Sequence, residues 1–179
     1  FNLYEMKEKA TKVLYCDLDG TIRKCNEDGI GFVNKASDVI VYDGVAEKLK
    51  AYEDAGWRIV GITNQGGVSL GHLTFEDMAG AIAETQRQVN GVFDKIMACI
   101  HHPEAKDPEY AVCWCRKPRI GNIVEAAIAL GKQYDEYYPP HLALFVGDGP
   151  EDKECAQNAG IKFMDAKEWR EKDIKDLLF

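Results

Sequence analysis

The sequence predicts an α/β fold, a Rossmann-like three-layer α/β/α sandwich on a mainly parallel sheet. Short, continuously apolar runs recur along the chain, as in strands buried on both faces, and amphipathic stretches with helical spacing lie between them. Length and composition agree. The chain has 179 residues, 46% hydrophobic with ordinary glycine and proline content, and suits one compact domain over 1–179.

Residues 13–17 (VLYCD) give the first predicted strand. Residues 45–55 predict a helix with Val45, Leu49 and Tyr52 on one face and Gly56 as its C-cap. The second strand is 58–63 (RIVGIT). A helix over 75–90 follows, opened by Thr74 with Asp77 as in a capping box and striped by Met78, Ile82 and Val89. The third strand is 95–100 (KIMACI). Ile120, Ile123, Val124, Ala127 and Ile128 then predict a helix stopping at Gly131. Residues 142–147 (LALFVG) form the fourth strand and 161–164 a fifth. Asp165 with Glu168 caps a last helix carrying Trp169. Residues 22–43, with Lys24, Asn26 and the turn "EDGIG", read as a loop beside the functional edge.

The net charge of −8 and a pI near 5.0 oppose the basic footprint of a protein that grips phosphate backbones, and argue against a nucleic-acid partner. The opening "FNLYEMKEKATK" has no apolar core of a secretory signal, and no run is long enough to span a bilayer. The expectation is a soluble, cytoplasmic protein with no membrane partner. The chain opens on Phe1 rather than Met, so an original start or a removed tag is expected to be missing. Six cysteines without a secretory signal point to reduced thiols or metal ligands, with the isolated Cys16, Cys25 and Cys155 as small buried hydrophobes.

In parallel sheets ligands sit beyond the carboxyl ends of the strands. Asp17 and Asp19 follow the first strand, Thr63 and Asn64 the second, and Asp148 the fourth. Asp17, Asp19 and Asp148 offer hard oxygen ligands suited to Mg²⁺. Beside a phosphate held by such a cation, a bare carboxylate can attack phosphorus, and a second carboxyl can protonate the leaving oxygen and later activate water. Thr63 can donate to a phosphoryl oxygen, with backbone donors from Asn64 to Gly67. Lys117 can neutralise developing charge, and Arg116 can clamp a substrate oxygen. Separately, "CIHHPEAKDPEYAVCWC" (99–115) offers Cys99-x-His101 and Cys113-x-Cys115, a donor set suited to a closed, structural, tetrahedral Zn²⁺ site.

"DLDGT", "ITNQ", "RKP" and "GDGPED", in this order, resemble the four motifs of the haloacid-dehalogenase-like phosphatases. The resemblance implies Asp17 as the nucleophile that becomes phosphorylated, Asp19 as general acid/base, Thr63 and Lys117 as phosphoryl binders, and Asp148 with Asp152 as Mg²⁺ ligands. The cysteine-rich loop is similar to the zinc loop of the histidinol-phosphate and heptose-bisphosphate phosphatase family, which selects His101 over His102 as ligand. The superfamily often carries a cap domain after the first or second motif; the intervals here are too short for a large one. Relatives near the heptose enzyme commonly have Arg after "TNQ" and a basic residue after the fourth-motif Asp. Ser69, Leu70 and Gly149 stand here instead, which argues against a doubly phosphorylated sugar.

The expected activity is therefore a Mg²⁺-dependent phosphomonoester hydrolase, working through an aspartyl-phosphate on a small phosphorylated metabolite of the sugar phosphate or histidinol phosphate type. Asn64 and Arg116 are the candidate substrate-binding residues, and Zn²⁺ is structural. The rivals are a polynucleotide 3′-phosphatase and a non-catalytic, metal-stabilised binding module.

Overall fold

The apolar runs become strands because alternate side chains enter two different cores. A computed structural model describes residues 2–29 and 31–179. In chain order the elements are α1 (Leu3–Glu8), β1 (Val13–Cys16), β2 (Arg23–Cys25), β3 (Val39–Val41), α2 (Val45–Asp54), β4 (Arg58–Asn64), α3 (Phe75–Gln88), β5 (Lys95–Cys99), α4 (Gly121–Tyr134), β6 (Ala143–Gly147), α5 (Pro150–Ala159), β7 (Lys162–Asp165) and α6 (Ala166–Glu171). The main sheet has the order β5-β4-β1-β6-β7, and every neighbouring pair in it is parallel.

Leu14, Cys16, Leu144 and Val146 face one helical layer, where they meet Leu49 and Tyr52 of α2 and Trp169 of α6. Val13, Tyr15, Ala143 and Phe145 face the other, against Ile123, Ala126 and Leu130 of α4 and Cys155 and Ala156 of α5. Three layers result. Trp169 donates its indole N–H to the Tyr52 hydroxyl at 3.2 Å, so its one polar group is satisfied in the core. No helix among the described residues is long and apolar enough to cross a membrane.

The chain leaves β1 toward β4 and β5 on one side, then returns to β6 and β7 on the other. The order therefore reverses around β1, and the crevice beyond its carboxyl end is where such sheets bind ligands.

Residues 22–43, expected as a loop, contain the antiparallel ribbon β2–β3, with Arg23 opposite Val41 and Cys25 opposite Val39. Three-residue strands are too short to display alternation in sequence. Val33 and Val39 pack on Ala81 of α3, which anchors the ribbon. Ile30 of "EDGIG" lies outside the described residues. No large cap is inserted after β1 or β4 among them.

The helix expected to stop at Gly131 runs on to Tyr134 and ends at Asp135, in the left-handed region with φ +53°. Gly131 instead admits the returning chain: a Cβ there would lie 3.1 Å from the Glu136 carbonyl oxygen. The buried stripe of α4 runs through Ile123, Ala126 and Leu130, which leaves Ile128 53% exposed. Thr74 caps α3 by accepting from the Asp77 N–H, and Asp165 caps α6 by accepting from Lys167 and Glu168, as their spacing predicts.

Candidate active site

Asp17 is the first residue past β1, and its backbone N–H still donates to the Val146 carbonyl of β6. The strand pairing therefore fixes where its carboxylate points. One oxygen accepts from Lys117 Nζ at 2.7 Å and the other from the Thr21 hydroxyl at 3.0 Å. Lys117 lies a hundred residues away in sequence, yet its buried ammonium reaches Asp17, Asp152 and the Ile62 carbonyl, each at 2.7 Å. Its backbone is braced as well. Asn64 accepts from the Lys117 N–H at 2.9 Å and donates to the Lys117 carbonyl at 3.1 Å, and the Lys117–Pro118 peptide is cis.

Burial pushes the Asp17 carboxyl well above the usual carboxylate range; the Lys117 charge acts against this, and the Asp152 charge adds to it. Burial also opposes the Lys117 charge, but the two carboxylates outweigh it and hold the ammonium above its ordinary value.

Asp152, fully buried in the first turn of α5, accepts from the backbone N–H groups of Asp148 and Gly149 at 3.2 and 3.1 Å. It thereby shapes the turn that carries Asp148. Gly20 has φ +83°, and a Cβ on it would collide with the Asp148 carboxylate, so glycine is required for the two loops to meet. Carboxylate oxygens of Asp17, Asp148 and Asp152 all lie within 4.8 Å of one another. Three carboxylates face one ammonium there, and the surplus negative charge fits a hard divalent cation.

Asp19 does not join that group. Its carboxylate turns to Arg23, whose Nε and Nη2 donate at 2.9 and 3.4 Å, and to Gln65, whose amide donates at 3.0 Å. The same amide donates to the Thr63 hydroxyl at 2.8 Å, which leaves the threonine proton free for another acceptor. Arg23 and Gln65 carry no role in the motif reading above. Gln65 lies within the quoted "ITNQ", but Arg23 looks like an ordinary surface cation until the fold buries it.

Beside Asp19 opens a cavity of about 640 Å³, whose walls include Phe32, Val33, Leu70, Leu73, His102 and Arg116. Asn64 also lines it, although both ends of its amide are already engaged by the Lys117 backbone. Arg116 donates to the His101 carbonyl at 3.3 Å, which ties the cavity wall to the cysteine-rich loop.

In that loop Cys99, His101, Cys113 and Cys115 converge. Cys99 Sγ lies 3.7 Å from Cys113 Sγ and 3.5 Å from His101 Nδ1, and Cys115 Sγ lies 3.4 Å from that nitrogen. Tetrahedral zinc with ordinary bond lengths separates its sulfurs by about 3.8 Å and sulfur from nitrogen by about 3.5 Å, so the donor set fits. His102 turns aside and accepts from the Glu104 N–H. All six cysteines are free of disulfides, and Cys16 and Cys155 are buried while Cys25 is half-buried.

The family model for polynucleotide kinase 3 phosphatase matches residues 12–175. The D-glycero-D-manno-heptose-1,7-bisphosphate 7-phosphatase of Chlorobaculum tepidum is 33% identical over 157 residues, covering 86% of this chain and 77% of that protein. The D-glycero-beta-D-manno-heptose-1,7-bisphosphate 7-phosphatase of Escherichia coli K12 is 30% identical, with coverages of 86% and 77%. Among solved structures, the D,D-heptose 1,7-bisphosphate phosphatase from B. bronchiseptica, complexed with magnesium and phosphate, aligns with a TM-score of 0.68 at 25% identity, over 86% of this chain and 79% of that one.

Proposed function

Because the chain belongs to the polynucleotide kinase 3 phosphatase family and is a haloacid-dehalogenase-like phosphatase of the heptose-bisphosphate phosphatase type, we propose that it hydrolyses a small phosphomonoester through an aspartyl-phosphate on Asp17. The observation that carries the reading is the Asp17 carboxylate, fixed by the Lys117 ammonium and the Thr21 hydroxyl at the mouth of the crevice. An oxygen of Asp17 attacks phosphorus as the bond to the leaving oxygen breaks, and Asp19 gives that oxygen its proton. Asp19 then takes a proton from water, which attacks the aspartyl-phosphate and releases phosphate.

Thr63 donates its free hydroxyl proton to the phosphoryl group. Lys117 holds Asp17 in line while keeping two carboxylates close together. Asp17, Asp148 and Asp152 would hold Mg²⁺, which when bound offsets the repulsion between the attacking carboxylate and the phosphate. Cys99, His101, Cys113 and Cys115 would hold a structural Zn²⁺ that stiffens the loop presenting Arg116 and Lys117. Asn64 acts by bracing Lys117, and Arg116 meets the substrate from the cavity wall.

The substrate class is a sugar phosphate or a compound of the histidinol phosphate type. A cavity of about 640 Å³ has the size of a small-molecule site, and the names of the similar heptose-1,7-bisphosphate 7-phosphatases specify a phosphorylated sugar. Arg116 is the single guanidinium or ammonium among the residues named in the cavity wall, which favours one phosphate on the substrate over two.

The test is phosphate release from sugar mono- and bisphosphates, histidinol phosphate and a 3′-phosphorylated oligonucleotide, in Mg²⁺ and in EDTA, by wild type and Asp17→Asn. Turnover of a small monophosphate that needs Mg²⁺ and vanishes in the variant is expected. Turnover confined to the oligonucleotide would replace the substrate assignment, and an Asp17→Asn enzyme as active as wild type would overturn the mechanism.

A further inference from the structure

Arginine is almost never fully buried unless its N–H groups are matched. Arg23 is 1% exposed and lies at the start of β2. Its Nη1 donates to the Thr85 hydroxyl at 2.9 Å and the Ala81 carbonyl at 3.2 Å, both on α3, and Thr85 itself donates to that carbonyl at 2.8 Å. The guanidinium is thus fixed to a helix that contributes no residue to the carboxylate cluster. Its remaining edge, Nε with Nη2, forms a fork on the Asp19 carboxylate.

Asp19 needs such a hold. Its side chain is 44% exposed at the rim of the cavity, on a loop, where a lone carboxylate would sample several rotamers. Donors from two separate elements, Arg23 on β2 and Gln65 after β4, select one orientation. A fork fixes the plane of a carboxylate as well as its distance, which one lysine ammonium cannot do.

We infer that Arg23 is a positioning residue: anchored on α3, it orients Asp19 for proton exchange with the leaving oxygen. The inference rests on the acid/base role proposed above for Asp19. In the step concerned, the phosphorus bond to the leaving oxygen breaks as the bond to Asp17 forms, and the proton passes from Asp19 to the departing oxygen. Arg23 itself exchanges no proton.

A leaving group that departs readily as an anion has little need of that proton. The test therefore compares p-nitrophenyl phosphate, phenyl phosphate and a sugar monophosphate, each with Mg²⁺, in wild type, Arg23→Met, Arg23→Lys and Thr85→Val. In Arg23→Met, kcat/KM, which reports only the steps up to departure of the leaving group, is expected to fall about 30-fold for the sugar phosphate and no more than about twofold for p-nitrophenyl phosphate. Arg23→Lys should recover part of the loss, and Thr85→Val, which loosens the anchor alone, should show the same selectivity at about threefold. Should Arg23→Met fail to fold, the Thr85→Val ratio decides.

An equal fall in kcat/KM across all three substrates, or a weaker dependence of kcat/KM on the leaving group than in wild type, would overturn the positioning role while leaving the proposed hydrolysis intact. A wild type that hydrolyses none of the three, or an Asp17→Asn variant that hydrolyses them all, would overturn the underlying reading instead.

Discussion

Gly20 shows how one missing side chain sets the site. Its φ of +83° is strained for any L-residue with a Cβ, and that Cβ would take the space of the Asp148 carboxylate. Gly20→Ala should therefore cost about 1–2 kcal/mol in backbone strain alone and displace Asp148 as well. A Mg²⁺ titration of activity is the check: the half-saturating concentration should rise at least about tenfold, as when a ligand's support is removed. An unchanged Mg²⁺ requirement would mean that Asp148 is not a ligand. Asp17, Thr63 and Asp148 are legible in sequence because each stands at the end of an apolar run, where the fold class itself predicts convergence. Lys117 has no strand to mark it and is visible only through the four-motif pattern. The fork of Arg23 on Asp19 is not legible at all, since it depends on Thr85 and Ala81 lying beneath Arg23, a contact made only once β2 packs on α3.

Among elements, the segment from Cys99 to Cys115 has little apolar core of its own: Tyr110, Val112 and Trp114 all point outward while Cys113 and Cys115 turn in. Its order must come from the four convergent thiol and imidazole groups and from a few anchors, such as the Gly121 N–H donating to the Trp114 carbonyl at 3.0 Å. Cys115→Ser, or chelation followed by assay with Mg²⁺ restored, should accordingly lower kcat by at least about tenfold through Arg116 and Lys117, and expose the loop to protease, while the far-ultraviolet circular dichroism of the sheet and helices persists. Metal analysis of wild type should return one zinc per chain. Asn64→Ala tests the same mechanical link from the other side. It removes two hydrogen bonds to the Lys117 backbone, and should lower kcat more than it raises KM, whereas a direct substrate ligand would do the reverse. At this scale the long strands are legible because they are apolar on both faces. The β2–β3 ribbon and the run of α4 past Gly131 are hidden, because strand brevity and a glycine used for close approach leave no periodic signal.

At the scale of the whole molecule the parallel sheet has two unlike edges. The carboxyl ends gather the reactive groups, and the amino ends hold a charge cluster with no part in the chemistry. Arg58, the first residue of β4, donates to Glu136 at 2.9 and 2.8 Å, reaches Asp94 at 3.4 Å and lies under the Tyr134 ring at 3.4 Å. The cluster ties β4 and β5 to the turn after α4. It lies a full strand length, about 20 Å, from Asn64, so stability and catalysis should separate there. Hydrogen bonds from Arg58, against the effect of burial and with help from Tyr138, hold the Glu136 carboxyl below its ordinary value. A carboxyl lowered in the folded state stabilises above its unfolded value of about 4.3, and that contribution fades as the pH falls through the folded value. Glu136→Gln should thus lose about 1 kcal/mol, or about 2–4 °C in Tm, at pH 7. Thermal melts across pH should show the gap from wild type closing below about pH 4, while kcat at 25 °C stays within about twofold. A gap that persists at low pH would assign the loss to packing of the altered side chain, and a matching fall in kcat would mean that the two edges of the sheet are mechanically coupled.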